Sequence, residues 1–138
     1  MAEVVLADSG AIVAALDKRD QNHAWARRRL DGFTKPCVTC EGAISESFFL
    51  LAHLRYGKEA LCRLLERQVI QVDFSFPAHR MDVLRLMERY ADTPMSFTDA
   101  CIVRMSEIHR RSRVFTTDGD FIVYRRFGRE AIPVIAPW

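Results

Sequence analysis

The chain alternates short apolar runs with longer stretches in which apolar residues return every three or four positions. Val4-Val5-Leu6-Ala7 is one such run, and it ends on Asp8. Its length and Val/Leu content predict a buried strand, central in a parallel sheet. Ser9-Gly10 predicts a turn, and Ala11 to Leu16 a helix. A second helix is expected over His23–Leu30, with Ala24, Trp25 and Leu30 inward and Gly32 closing it at the position glycine favours. Pro36–Thr39 is expected to be a short strand. From Glu41 to Leu54 the pattern is apolar almost all round a helix, which predicts burial. Gly57 is expected to break the chain before a helix over Glu59–Gln68, with Leu61, Leu64 and Leu65 on its inner side. A short strand over Val69–Phe74 follows. Pro77 then opens a helix to Ala91 in which Met81, Leu84, Met87 and Ala91 recur at core spacing. Pro94 interrupts that pattern, and Ser96 starts a helix whose buried stripe is Cys101, Ile102, Met105 and Ile108. Strands over Val114–Thr117 and Ile132–Ile135 complete the series, the last at an edge that tolerates Pro133. Strands alternating with helices, without linker or repeat, predict one domain over residues 1–138, of class α/β with a mainly parallel sheet.

Composition narrows the class without naming a chemistry. A chain of 138 residues has room for a real core, and 49% hydrophobic with 28% charged residues is ordinary for a globular protein. No apolar run approaches the ~20 residues of a membrane span. The N-terminus lacks a basic region followed by an apolar one and a cleavage site, so a cytoplasmic location is expected, with the four cysteines reduced. A net charge of +2 does not announce nucleic acid. The cations are mostly arginines, in clusters at Arg27-Arg28-Arg29, Arg110-Arg111 with Arg113, and Arg125-Arg126 with Arg129. Arginine suits bidentate phosphate contacts, and equally a solvated helix face.

Acids stand where elements change over. Asp8 ends the first strand and Asp118 the strand Val114–Thr117, while Ser96-Phe97-Thr98-Asp99 has capping-box spacing at a helix start. In a parallel sheet, strand C-termini and the following helix N-termini share one edge, so Asp8, Asp99 and Asp118 can converge there. Glu46 shares a helix face with Ala43 and Leu50, where a carboxylate is costly unless paired or bound to metal, and it can approach from that flanking helix. Each acid has a simpler reading: Asp8 and Asp99 can cap helices, and Glu46 can reach solvent or pair with an arginine. Several carboxylates brought close repel one another and call for a cation, and all-oxygen ligands favour Mg²⁺ or Mn²⁺, which act on phosphoryl oxygens. Cys37-Val38-Thr39-Cys40 is a CxxC between strand and helix, open to a thiol-disulfide reading or to two core cysteines; Cys62 and Cys101 are single and distant, which disfavours zinc.

These pieces in this order resemble the PIN-domain ribonucleases, and among them the VapC-like toxins of toxin–antitoxin pairs. The resemblance is carried by Val5-Leu6-Ala7-Asp8-Ser9, Val38 through Glu46, Tyr90-Ala91-Asp92, Ser96-Phe97-Thr98-Asp99-Ala100, and Val114-Phe115-Thr116-Thr117-Asp118 with Asp120-Phe121. It implies a three-layer α/β/α sandwich and a Mg²⁺- or Mn²⁺-dependent endoribonuclease. It further implies Asp8, Glu46, Asp99 and Asp118 as catalytic metal-binding acids, Thr116 as the hydroxyl residue beside the last acid, and Asp92 and Asp120 as auxiliaries. Glu41 is assigned to helix initiation. The partners implied are an RNA substrate, a cognate antitoxin and a second copy of the chain in a homodimer. The alternatives are a PIN-like module that holds RNA or protein without cutting, and a thiol-disulfide enzyme using Cys37 and Cys40.

Overall fold

The computed structural model describes residues 3–138. Among these, five strands form one parallel sheet: β1 (Val4–Ala7), β2 (Cys37–Thr39), β3 (Ile70–Val72), β4 (Ser112–Phe115) and a last strand, Val134–Ile135. A two-residue hairpin, β5 (Arg125–Arg126) and β6 (Glu130–Ala131), precedes that last strand, which is therefore β7. The sheet order is β3-β2-β1-β4-β7, so β1 is central as its apolar run predicts, and β7 is an edge. Pairing is in register from Val4 with Ser112 to Ala7 with Phe115. The helices are α1 (Ser9–Leu16), α2 (His23–Gly32), α3 (Glu41–Leu51), α4 (Gly57–Glu66), α5 (Phe76–Arg89) and α6 (Phe97–Ile108).

Strand alternation divides the core into two layers. Leu6 and Val114 face α5, α6 and the start of α3, joining Val83, Leu86, Ile102 and Met105. Ala7 and Phe115 face the other way, onto α1, α2 and α4, joining Ile12, Leu30, Leu61 and Ile70. The result is the expected α/β/α sandwich. Phe115 is wedged between Trp25 and Phe33, with ring centroids 5.4 and 5.3 Å away.

Several expected positions are corrected. Ser9-Gly10 is no turn; α1 begins at Ser9, because Asp8 caps it. Gly32 lies within α2, which ends on an extended Phe33 and not on a left-handed glycine. Ala24 is exposed and Ala26, two residues on and on the opposite side of the helix, fills the interior. Gly57 does not break the chain; it is the buried first residue of α4. The helix α3 is not buried all round: Phe49 is 79% exposed and Leu50 44%. Ala43, Ser47 and Leu51 form its buried face, and among the described residues Phe49 and Leu50 are left open to solvent. In α5 the methionine stripe is wrong by part of a turn. Met81 (52%) and Leu84 (49%) are exposed, Ala91 lies exposed beyond the helix, and Val83 and Leu86 are buried. Non-helical backbone at His79 kinks the first turn of α5, where His79 stacks on Phe74 and accepts a hydrogen bond from Arg104 Nε. Ile108 is exposed at the end of α6, while Ala100, Val103 and Ser106 join that helix's buried face. The β5–β6 hairpin has no apolar alternation to announce it. It is held by Arg126, whose guanidinium donates to the Ser106 and Arg110 carbonyls at 3.1 and 3.0 Å and to Glu130 at 3.1 Å.

Phe115→Ala should destabilise the protein by about 3–5 kcal/mol, the cost of emptying a buried aromatic site. Phe49→Ser should change stability by no more than about 0.5 kcal/mol, as expected of an exposed side chain. Urea unfolding of the two variants decides this; equal losses would mean that Phe49 is covered in solution.

Candidate active site

The backbone brings the acids to one edge before any side chain acts. The Asp8 N–H continues the β1–β4 ladder by donating to the Phe115 carbonyl at 3.0 Å, which sets Asp8 beside Thr116. The Thr116 hydroxyl then donates to Asp8 Oδ2 at 2.9 Å, and its oxygen accepts the Asp118 N–H at 2.9 Å. One threonine thus ties the end of β1 to the loop after β4. Asp8 Oδ1 accepts the Ser9 N–H at 2.9 Å, capping α1. Asp118 Oδ1 accepts the Asp120 N–H at 2.9 Å and caps the 3-10 turn Gly119–Ile122. Asp99 closes a full capping box: the Ser96 hydroxyl takes its N–H at 3.0 Å, and its Oδ2 takes the Ser96 N–H at 3.2 Å. Capping and clustering were competing readings in the sequence. Here the same three carboxylates do both.

Two glycines permit the closeness. A Cβ on Gly10 would fall 2.5 Å from Thr117 Oγ1, so a side chain there would push the threonine at the end of β4 out of place. A Cβ on Gly42 would fall 2.7 Å from Thr98 Oγ1, so a side chain there would displace the Thr98 hydroxyl where the start of α3 meets the start of α6. Along α3, one turn further, Glu46 reaches the edge through Ser9, whose hydroxyl donates to Glu46 Oε1 at 2.9 Å. Asp120 is half-buried next to Asp118. Asp92 stands exposed in the turn after α5, and among the described residues no hydrogen bond or ion pair joins it to the other acids.

The electrostatics follow from burial and like charge. Asp8 is pushed up to about 7, chiefly by desolvation, partly offset by the Thr116 hydrogen bond and raised further by Asp99 and Asp118. Asp99 is also raised, by desolvation first, against the opposing effect of its bonds from Tyr124 and Ser96. Asp120 is raised by desolvation and by Asp118. Among the described residues no three His, Cys, Asp or Glu side chains stand close enough to enclose a metal ion by themselves. The donor set is nonetheless hard oxygen carrying mutual repulsion, and among the described residues Asp99 Oδ1 and Asp118 Oδ2 receive no protein donor. That fits a hard divalent cation held among carboxylates with water completing its coordination, and not a fully protein-built cage.

The comparisons decide the family. The model of the PIN domain matches residues 5–126, a span that includes every one of these acids. The chain belongs to the PIN-domain family. A crystal structure of Mycobacterium tuberculosis VapC20, described as a toxin that cleaves the sarcin-ricin loop, has a similar fold. It shares 18% identity and a TM-score of 0.76, covering 94% of this chain and 99% of that one. No curated relative matches the chain.

The CxxC of this PIN domain is not a redox pair. Strand alternation sends Cys37 into the α1–α2–α4 layer and Cys40 into the α5–α6 layer. Burial pushes the Cys37 thiol up to about 12, which leaves it inert as a nucleophile. Cys40 instead meets Cys101, and that contact lowers Cys40 and raises Cys101. Two contacts at the site were not foreseen: Ser9, present in the first motif, holds Glu46, and Tyr124, outside every motif, donates its hydroxyl to Asp99 Oδ2 at 2.9 Å. Tyr124 lies in an apolar-looking stretch 25 residues after its partner.

Native Asp8 keeps its proton up to about 7, whereas the unfolded carboxyl releases it near 3.8. Between those values the native state binds the extra proton, so stability in chelator should fall as pH rises across the interval. Asp8→Asn should remove most of that slope. Urea unfolding in chelator at the two ends of the interval measures both; a wild type that gains stability with rising pH contradicts the assignment.

Proposed function

We propose that this PIN domain is a Mg²⁺- or Mn²⁺-dependent endoribonuclease of the VapC kind, the toxin of a toxin–antitoxin pair. One observation carries the reading: Asp8, Asp99 and Asp118, from three separate element junctions, stand at the C-terminal edge of the sheet, with Thr116 tying Asp8 to the Asp118 backbone and Asp99 closing the cap of α6. RNA cleavage by VapC20, a protein of similar fold, supports the choice of substrate class.

Asp8, Asp99 and Asp118 would hold the ion, with Glu46 completing the site. When bound, the ion supplies positive charge at a phosphoryl oxygen and makes water a competent nucleophile. Asp8 would have to be ionised to help hold the ion, since its carboxyl otherwise retains a proton up to about 7. Glu46 has one oxygen fixed by Ser9, so its other oxygen can orient water and accept a proton. Thr116 keeps Asp8 and the Asp118 backbone in one register throughout. Asp120 adds negative charge beside Asp118. Arg125 does not hold RNA by its Nη1, which is folded onto the Ile122, Val123 and Tyr124 carbonyls, and Arg126 is buried. Of the other clustered arginines, Arg27, Arg28, Arg110, Arg111 and Arg129 are exposed and free to meet a phosphate backbone.

An antitoxin segment and a second copy of the chain are the expected protein partners. Phe49 and Leu50, with Ser45 and Glu46, line an open cavity of about 470 Å³ beside the candidate site. An antitoxin could lay apolar side chains there and present a cation to the acids. Among the described residues no helix is long and apolar enough to cross a membrane.

Cleavage of total RNA should stop in chelator and return with Mg²⁺ or Mn²⁺; undiminished cleavage in excess chelator ends the proposal. Expression should arrest bacterial growth, and Asp8→Asn should relieve it. Mn²⁺ should raise wild-type stability by about 2.7 kcal/mol at a hundredfold excess over its dissociation constant. Asp99→Asn should stay within about 1 kcal/mol of wild type in chelator, because relief of repulsion offsets the weakened charge–dipole contact. It should lose most of the Mn²⁺ gain in thermal unfolding. A variant that gains as much as wild type would leave Asp99 a cap alone.

A further inference from the structure

Asp99 Oδ2 is held from two sides. From its own helix it receives the Ser96 N–H at 3.2 Å, and from across the edge it receives the Tyr124 hydroxyl at 2.9 Å. The cap alone leaves the carboxylate free to turn about its terminal torsion and exchange its two oxygens, since either can face the Ser96 N–H. The phenol removes that freedom. It comes from the segment that carries Asp118 and Asp120, to which Tyr124 is tied by its own N–H on the Asp120 carbonyl at 3.2 Å. The ring itself cannot shift easily. It is fully buried and packed edge-on against Tyr90 and Phe121, both with centroids at 5.3 Å. The hydroxyl does not need Asp99 in order to be satisfied. The Pro94 carbonyl lies 3.2 Å away, a longer contact with the same single hydrogen.

We infer that Tyr124 is a positioning residue for the metal site: its hydroxyl fixes the Asp99 carboxylate so that Oδ1 faces Asp8 and Asp118, and it sets the spacing between the start of α6 and the Asp118 loop. This rests on the metal-dependent reading above and adds a residue to it. Phenylalanine would keep the burial and the ring stacking and delete only the bond. Outer-shell partners of this kind change metal affinity when removed, by about 10–100-fold.

The test is the Mn²⁺ dissociation constant of the full chain, from the electron paramagnetic resonance signal of free Mn²⁺, for wild type, Tyr124→Phe and Tyr90→Phe. Thermal unfolding in chelator accompanies each. Tyr90 also loses one hydroxyl, which accepts the Arg125 N–H, but it touches only the ring of Tyr124. Tyr124→Phe should weaken Mn²⁺ binding by about 10–100-fold, and its RNA cleavage should return as Mn²⁺ is raised. Tyr90→Phe should bind Mn²⁺ like wild type. Wild-type affinity in Tyr124→Phe, or an equal loss in Tyr90→Phe, overturns the inference alone. A wild type that binds no Mn²⁺ overturns the metal-dependent reading and this inference with it.

Discussion

Three carboxylates at the C-terminal edge of one parallel sheet repel one another, and the surrounding structure is arranged to bear that repulsion. Asp8 suffers most, because it sits at the end of the central strand with the sheet on both sides and helices above and below. Desolvation and its neighbours push its carboxyl up to about 7. The fold offsets this locally. Asp8 and Asp99 each lie at a helix N-terminus, where the backbone dipole favours negative charge, and all three aspartates accept backbone N–H groups. The residual strain is what makes a divalent cation a suitable occupant.

The hydrogen bonds also sort the oxygens. Asp8 has both oxygens engaged, by Ser9 and Thr116. Asp99 and Asp118 each concentrate their protein bonds on one oxygen. The acid that costs most to bury is thus the most rigid, and the two flanking acids present an oxygen each. Glu46 enters from a different layer element and is fixed only through a serine hydroxyl. The hydrogen-bond anchoring of the carboxylates therefore loosens from the centre of the sheet outward.

The helix α6 carries the arrangement across the molecule. Asp99 answers its N-terminus and the buried Arg126 answers its C-terminal carbonyls, so opposite charges close both ends of the dipole. The small hairpin that supplies Arg126 follows the segment that supplies Tyr124. Residues 118–131 consequently brace both ends of one helix, and besides the acids they carry they touch Asp99 through the Tyr124 phenol.

The strand and helix series, the parallel sheet with β1 at its centre, and the edge on which Asp8, Asp99 and Asp118 meet were legible in the order of residues. Apolar runs ending on acids encode those features locally, through period and capping chemistry. Exposure was less legible. Periodicity identifies an apolar face but not whether anything covers it, and so Phe49, Leu50, Met81 and Leu84 read as core while standing in solvent. The face on which each CxxC cysteine lies follows from strand alternation once the strand's register is known, which the motif alone does not specify. The Tyr124–Asp99 bond and the Arg126 clamp depend on where a turn and a hairpin fold back, and contacts between residues 16 to 25 positions apart on irregular backbone leave no periodic trace. Tertiary packing alone decided them, because only the closed sandwich brings a buried hydroxyl and a buried guanidinium to the two ends of the same helix.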